Sequence, residues 1–371
     1  MSDDAPVIVS EQPAADGAVG MLTLNVPKTL NSLTLEMVDL LQGALDRWRD
    51  DASIRAVFIA GAGEKAFCAG GDVQALHASA VKNPGGPCDY AEAFFAREYR
   101  MNYTLHSYPK PIICWGHGIV MGGGLGIMAG CRHRVVTAST RIAMPEVTIA
   151  LFPDVGGSWF LNHMPGGAGR FLALTAANIN ATDALFLGLA DRFIHADKCD
   201  AVVERLLAQP WSDDPVANHG LVRHLLREFE ESADALPPAQ VQPHLETIRR
   251  LTDGDDIHQV IDNILALDTD DKWLAKARDA LAHGSPLAAR WIDRQLERTR
   301  HSSLREVFQA EVVLATRIVR HPEFAEGVRA LLIDKDRQPA WQYENSRAVP
   351  EDVLDGFFLP PWPQNPLADL C

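Results

Sequence analysis

The chain has 371 residues, 47% of them hydrophobic and 22% charged, which excludes a disordered chain, a collagen-like repeat and a small disulfide scaffold. Its 34 lysines and arginines are outnumbered by 49 aspartates and glutamates, so the net charge is −15. A surface this negative repels nucleic acid and anionic lipid, and neither is expected as a partner. The six cysteines include no C-x-x-C pair, which disfavours a structural zinc site and indicates free thiols in a reducing compartment.

The N-terminal segment MSDDAPVIVSEQPAADG is acidic, with neither a basic start nor an apolar centre. It does not resemble a secretory signal or an arginine-rich transit peptide. No stretch of the chain reaches the length of apolar residues that a membrane span requires. We therefore expect an intracellular protein without a membrane segment and predict a cytoplasmic location.

The first half of the chain alternates strand-like with helix-like patterns. Strand patterns occupy Met21–Val26, Ala56–Ala60, Pro111–Met121, Arg134–Ala138 and Arg141–Met144. One amphipathic helix pattern begins at Thr34, and a second helix pattern extends over Asp89–Tyr108. Alternation of this kind predicts an α/β architecture with a mostly parallel sheet.

From about Cys199 onward the strand patterns stop and charged helical patterns take over. Ser285 with Pro286 is a typical helix start, with serine as N-cap and proline as the first helical residue. Ser303 with Glu306 forms a capping box ahead of an apolar-periodic helix. We predict a core over residues 1–200 and a helical C-terminal region over residues 201–371.

Two glycine-rich turns follow predicted strands. The first is Cys68–Asp72 and the second is the triplet Gly122–Gly124. A glycine turn that opens a helix leaves backbone N–H groups unpaired and lets a ligand oxygen approach them closely. If each turn gave one N–H to the same oxygen, the pair would form an oxyanion hole. Either turn alone is also explained by a positive φ angle or by tight packing of helix on strand.

The second turn also fits the dinucleotide-binding pattern. Gly124–Ala129 reads G-x-G-x-x-A, and Glu146 lies 20 positions after Gly126. However, the polar pair Arg132-His133 follows too soon for a crossover helix to fit before the next strand, and Glu146 comes after a proline instead of ending a strand. Rossmann-type binding is therefore disfavoured.

Two acids, Glu146 and Asp154, flank the apolar segment VTIALFP. Apolar surroundings raise the pKa of a carboxyl group, which suits a general base or acid near neutral pH. Singly, each acid has a structural explanation, since Asp154 could cap a helix and Glu146 could pair with a surface arginine. Both acids together, in a chain with two candidate oxyanion turns, favour chemistry on a carbonyl group.

Three segments together resemble the crotonase (enoyl-CoA hydratase/isomerase) superfamily. They are AFCAGGD at 66–72, PKPIICWGHGIVMGGGLG at 109–126 and AMPEVTIALFPDVGGSWFL at 143–161. The resemblance implies a crotonase-like α/β fold, a spiral of ββα repeats, followed by a C-terminal helical region. It also implies an acyl-CoA substrate whose carbonyl oxygen lies between the N–H groups of Gly71 and Gly123, with Gly122 as a further substrate contact.

Within the superfamily the chain is most similar to the subgroup that hydrolyses 3-hydroxyisobutyryl-CoA, a step of valine breakdown. Enoyl-CoA hydratases carry one glutamate near the position of Gly126 and a second at the position of Glu146, so one of their two acids is missing here. Asp154 and the segment His321–Trp341 also match the hydrolase subgroup. The resemblance makes Glu146 the nucleophile or general base, while Asp154 holds the 3-hydroxyl group of the substrate or positions water.

The resemblance implies three further substrate contacts. Glu98 would line the acyl pocket, and Lys28 and Lys335 are candidates to bind the phosphates of CoA. Thioester hydrolysis needs neither a metal nor a redox cofactor, and CoA is part of the substrate. Two alternative functions stay open: a hydratase or isomerase of the same superfamily, and a non-catalytic acyl-CoA-binding protein. Assembly into a homo-oligomer is also left open.

Overall fold

The computed structural model describes residues 4–371. The strands are β1 (Val7–Pro13), β2 (Ala18–Leu24), β3 (Ile54–Gly61), β4 (Ala66–Cys68), β5 (Ile112–Gly116), β6 (Ile119–Met121), β7 (His133–Val136), β8 (Arg141–Ala143) and β9 (Arg192–Phe193). The α-helices are α1 (Leu35–Arg49), α2 (Val73–Lys82), α3 (Asp89–His106), α4 (Gly123–Gly130), α5 (Gly157–Asn162), α6 (Ala168–Thr175), α7 (Ala181–Phe186), α8 (Cys199–Leu207), α9 (Pro215–Glu228), α10 (Leu245–Thr252), α11 (Ile257–Leu265), α12 (Lys272–His283), α13 (Pro286–Thr299), α14 (Leu304–Val319), α15 (Pro322–Val328) and α16 (Glu351–Gly356).

The strands form two sheets. One is six-stranded in the order β1-β2-β3-β5-β7-β9, and the other is three-stranded in the order β4-β6-β8. Only the edge pair β1 and β2 is antiparallel in the larger sheet, and the remaining pairs are parallel. The prediction of an α/β architecture with a mostly parallel sheet is confirmed.

The strand order also shows the repeated unit. Each of β3, β5 and β7 lies in the larger sheet and is followed by a short strand of the smaller sheet, β4, β6 and β8. The helices α2 and α4 come directly after β4 and β6. The chain therefore turns through strand, strand and helix repeatedly, which is the spiral of ββα units that the sequence predicted.

One compact unit holds most of the sheet structure. Among the described residues it comprises 4–71, Met101–Ile142 and Ile179–Ala239. Its core joins buried strand residues such as Phe58 and Trp115 to apolar residues of α8 and α9, among them Leu206 and Leu225. The alternating apolar pattern of each strand supplies this packing, because successive side chains of a strand point to opposite faces.

The other compact unit is mostly helical and comprises Asp72–Arg100, Ala143–Asn178 and Gln240–Cys371. Two of its helices, α13 and α14, begin where the sequence predicts. The Ser285 hydroxyl accepts the Ala288 N–H at 3.0 Å at the start of α13, and Ser303 with Glu306 forms the capping box of α14. Among residues 4–371, the last strand ends at Phe193. Both compact units combine separate segments of the chain. The division into a core over residues 1–200 and a helical region over residues 201–371 stays a prediction.

Over the described part of the chain, no helix combines the length and the apolarity needed to cross a lipid bilayer.

Candidate active site

The two glycine-rich turns lie side by side in the first unit. A Cβ placed on Gly70 would lie 3.2 Å from the Met121 carbonyl oxygen and 3.5 Å from the Gly123 nitrogen. Gly122 precedes α4 with a φ of 48°, in the left-handed region, and Gly123 is the first residue of that helix. The N–H of a first helical residue has no acceptor within its own helix. The turns that carry Gly71 and Gly123 are thus close neighbours, and a role as oxyanion donors stays a prediction.

Packing also constrains this region. A Cβ on Gly124 would lie 2.3 Å from the Cys68 carbonyl oxygen, so α4 approaches β4 too closely for any larger residue. The Leu33 N–H donates to the Gly70 carbonyl at 2.8 Å and fixes the first turn from another side. Tight packing of helix on strand therefore explains the glycine at position 124. The positive φ angle explains the glycine at position 122.

Glu146 is buried at the start of a short 3-10 helix, Glu146–Ile149, with only 5% of its surface exposed. Its Oε2 atom has no hydrogen-bond partner in the described chain. Burial raises the pKa of Glu146 well above its usual value, and the neighbouring Asp154 carboxylate raises it further. Pairing with a surface arginine, the structural alternative for this residue, is wrong because the side chain is buried.

Asp154 is equally buried, and its side chain has one defined partner. The Tyr99 hydroxyl donates to Asp154 Oδ2 at 2.6 Å. Burial raises the pKa of Asp154 to about 6, while the hydrogen bond from Tyr99 lowers it. The alternative in which the Asp154 side chain caps a helix is wrong, since the N-cap of α5 is Gly156.

Glu98 joins these two acids. It lies in α3 and is 2% exposed, and its Oε1 atom has no hydrogen-bond partner among residues 4–371. Burial raises its pKa well above the usual value, and the charges of Asp154 and Glu146 raise it further. The second unit therefore brings the three sequence-predicted acids into one buried cluster.

Two members of this cluster were missed by the sequence reasoning. Tyr99 is the hydrogen-bond donor to Asp154, and Glu311 of α14 is fully buried and accepts backbone N–H groups from the loop after Asp154. The sequence does carry a signal for Glu311. It falls on the apolar stripe of its helix, one turn after Phe308, where a charged residue is out of pattern.

The two lysines are exposed, as phosphate-binding side chains on a surface would be. Lys28 lies in the 3-10 turn Pro27–Thr29, and Lys335 follows α15 with a left-handed φ of 59°. Gly126, at the position where hydratases carry an acid, is buried inside α4. Within residues 4–371, no three histidine, cysteine, aspartate or glutamate side chains are grouped to hold a metal ion.

Comparison with known families assigns the chain. The profile described as enoyl-CoA hydratase/isomerase matches residues 19–358, which is most of the sequence. The chain belongs to the enoyl-CoA hydratase/isomerase family. Relatives in this family include 3-hydroxyisobutyryl-CoA hydrolases named as mitochondrial. That of Danio rerio is 38% identical over 92% of this chain and 87% of the relative, and that of Homo sapiens is 34% identical over 92% and 86%.

Similarity to solved structures confirms the crotonase-like fold. A carnitinyl-CoA dehydratase from Mycobacterium thermoresistibile is 32% identical with a TM-score of 0.86, and the match covers 99% of this chain and 100% of that one. An enoyl-CoA hydratase from Rhodobacter sphaeroides is 32% identical with a TM-score of 0.83, covering 96% and 98%. The family resemblance found in the sequence is thus confirmed along almost the whole chain.

The predicted cytoplasmic location is wrong by the same comparison, because the vertebrate relatives in this family are named mitochondrial. The prediction depended on single cysteines and on the acidic N-terminal segment. Free thiols indicate a reducing environment and do not distinguish one such compartment from another.

Proposed function

We propose that this chain hydrolyses the thioester bond of 3-hydroxyisobutyryl-CoA, or of a similar short 3-hydroxyacyl-CoA such as 3-hydroxypropionyl-CoA. The products are the free hydroxy acid and CoA, and the step belongs to valine breakdown. The observation that carries the proposal is the buried carboxyl of Glu146 with an unpartnered oxygen, in a chain that has Gly126 in place of the second hydratase acid. The names of the relatives support it.

The reaction begins at the thioester carbonyl. The N–H groups of Gly71 and Gly123 bind its oxygen and stabilise the negative charge that develops there, a contribution of about 3 kcal/mol for each donor in comparable sites. The ionised Glu146 carboxylate attacks the carbonyl carbon, or it removes a proton from a water that attacks. In the first route the C–S bond breaks, CoA leaves as a thiolate that takes up a proton, and water then opens the mixed anhydride.

The other acids bind the hydroxyacyl group. Asp154 accepts the Tyr99 hydroxyl in the structure and offers its second oxygen to the substrate 3-hydroxyl group or to water. Glu98 has an oxygen without a hydrogen-bond partner among residues 4–371, and its raised pKa favours the protonated form, which can donate a hydrogen bond to the acyl group. Lys28 and Lys335 bind the phosphates of CoA, which a protein of net charge −15 must attract through local positive charges.

A hydratase is the second candidate, because the two solved structures carry the names of a hydratase and a dehydratase. Adding water to a double bond needs one acid on each side of the reacting water. Position 126 has no side chain to supply the second acid, and Gly126 lies buried in α4. This absence favours hydrolysis, which needs a single attacking carboxylate.

Thiol release distinguishes the two functions. The purified protein is incubated with 3-hydroxyisobutyryl-CoA and, separately, with crotonyl-CoA. We expect free thiol from the first substrate and no loss of the double bond in the second. Hydration of crotonyl-CoA without thiol release from either ester would refute the proposal.

Two variants test the role of Glu146 in the same assay. Glu146→Gln keeps the shape of the side chain and removes its charge, so we expect CoA-ester binding to persist while turnover falls at least a hundredfold. Glu323→Gln is the matched control, since Glu323 is also a buried glutamate that accepts two hydrogen bonds. Its turnover should equal that of the wild type. Binding without turnover in the wild type itself would identify a non-catalytic acyl-CoA-binding protein.

A further inference from the structure

The loop that carries Asp154 is held by a single carboxyl group from α14. Glu311 is fully buried, and its two oxygens accept two different backbone N–H groups. Oε2 accepts the Gly156 N–H at 2.7 Å, and Oε1 accepts the Ser158 N–H at 2.9 Å. These donors stand at the start of α5, where a helix has no acceptors of its own. Glu311 therefore fixes the backbone immediately after Asp154.

The same face of α14 also supports the hydrogen-bond donor of Asp154. Phe308 lies one turn before Glu311, and its ring centroid is 6.1 Å from that of Tyr99. The Phe308 ring also packs on Gly156, where an added Cβ would lie 3.0 Å from it. Tyr99 in turn donates its hydroxyl to Asp154. One helix face thus contacts both the backbone that carries the acid and the side chain that orients it.

Filling space does not account for a carboxyl at position 311. Burial raises the pKa of Glu311 to about 8, even though the two N–H donors lower it. Burying this carboxyl group therefore costs free energy of folding. Glutamine has the same shape, but its NH₂ group would face one of the two N–H donors and could not accept from it. Only a carboxyl group presents two acceptor oxygens to the Gly156 and Ser158 amides.

We propose that Glu311 is a positioning residue for hydrolysis. It acts on the substrate only through Asp154, whose carboxyl group it holds where the 3-hydroxyl group or the attacking water is bound. This inference rests on the proposed function.

A double-mutant cycle in the thiol-release assay tests the inference. We expect Glu311→Gln to lower kcat about 10- to 100-fold, which corresponds to leaving one buried N–H donor without an acceptor, with KM within about threefold. When Asp154 is already asparagine, the same change should lower kcat by less than about threefold, because the route through Asp154 is gone. Glu323→Gln should leave kcat unchanged in both backgrounds.

An equal loss of kcat in both backgrounds would show a merely structural role and overturn the inference, as would a Glu311→Gln protein with wild-type kcat. Should Glu311→Gln not fold, Glu311→Asp replaces it in the cycle. Its shorter carboxyl reaches one amide less well, so a smaller loss of kcat is expected, again confined to the background with Asp154 intact.

A wild-type protein that releases no thiol would refute the proposed function instead. The contact between Glu311 and the Asp154 loop is then measured without turnover, by following the carboxyl titration of Asp154 with ¹³C-labelled aspartate. Glu311→Gln should move that titration while Glu323→Gln leaves it in place, and no movement would overturn the inference.

Discussion

Removing the Tyr99 hydroxyl should shift the pH dependence of the reaction. In the structure this hydroxyl donates to Asp154 Oδ2 at 2.6 Å in a fully buried environment. The bond stabilises the ionised form of Asp154 and lowers its pKa, against burial, which raises it to about 6. Tyr99→Phe keeps the ring and its packing against Phe95 and Phe308, so the change is confined to this one donor.

The size of the shift follows from the strength of the bond. A hydrogen bond to a charged group contributes about 1.5–3 kcal/mol, and one pKa unit corresponds to about 1.4 kcal/mol. Without the donor, ionising the acid cluster should therefore require a pH about 1–2 units higher. The acidic limb of the kcat/KM profile therefore shifts to higher pH by that amount. On that limb the variant is about 10- to 100-fold slower, and at high pH its activity returns to the wild-type plateau.

The assay is the pH profile of kcat/KM from thiol release with a 3-hydroxyacyl-CoA ester. Tyr108→Phe is the matched control, because the Tyr108 hydroxyl is also buried but donates to the Leu45 carbonyl at 2.8 Å. Its acidic limb should coincide with that of the wild type. An unchanged limb in Tyr99→Phe, or an equal loss of activity at every pH, would show that the Tyr99–Asp154 bond does not govern an ionisation that the reaction requires.

Three further predictions concern stability and substrate binding. Gly124→Ala places a Cβ 2.3 Å from the Cys68 carbonyl oxygen, so the free energy of unfolding, measured with urea, should fall by about 1–3 kcal/mol. Lys335→Ala should raise KM two- to fivefold with kcat unchanged, an effect that salt suppresses, and an equal effect in high salt would contradict an ionic contact. The pKa of Glu311 is raised from its usual 4.5 to about 8. Between these two pH values the folded state therefore keeps a proton that the unfolded state has released. Stability should therefore fall as pH rises through this window, by up to about 1.4 kcal/mol per pH unit for this group, and Glu311→Gln should flatten the urea-measured slope.

Local sequence was sufficient for much of this molecule. The parallel sheet followed from alternating strand and helix patterns, and the capped starts of α13 and α14 followed from Ser285 and Ser303. The burial of Glu146 and Asp154 was predictable because both flank an apolar segment. In each case the pattern that predicts the feature lies within a few residues of the chain.

Interactions between distant segments could not be predicted in this way. The structural alternative for Asp154, a helix cap, fits its local sequence well, but the side chain instead accepts the hydroxyl of Tyr99, a residue 55 positions earlier. Glu311 lies 155 positions after Gly156, whose N–H it accepts. The break in the apolar stripe of α14 marks Glu311 as unusual, but no local pattern indicates what it contacts.

The buried cluster explains how one site can assign different tasks to chemically similar groups. Like charges at close range do not all ionise together, so the protons are retained where the carboxylate is least stabilised. Burial raises the pKa of Asp154 to about 6, while the hydrogen bond from the Tyr99 hydroxyl stabilises its ionised form, so Asp154 serves as an acceptor. Its charge then raises the pKa of Glu98 and of Glu146. The raised pKa of Glu98 favours its protonated form, which can donate a hydrogen bond. Glu146, once ionised, is a stronger base and nucleophile than an exposed carboxylate, because its charge lacks the solvation that would hold it back.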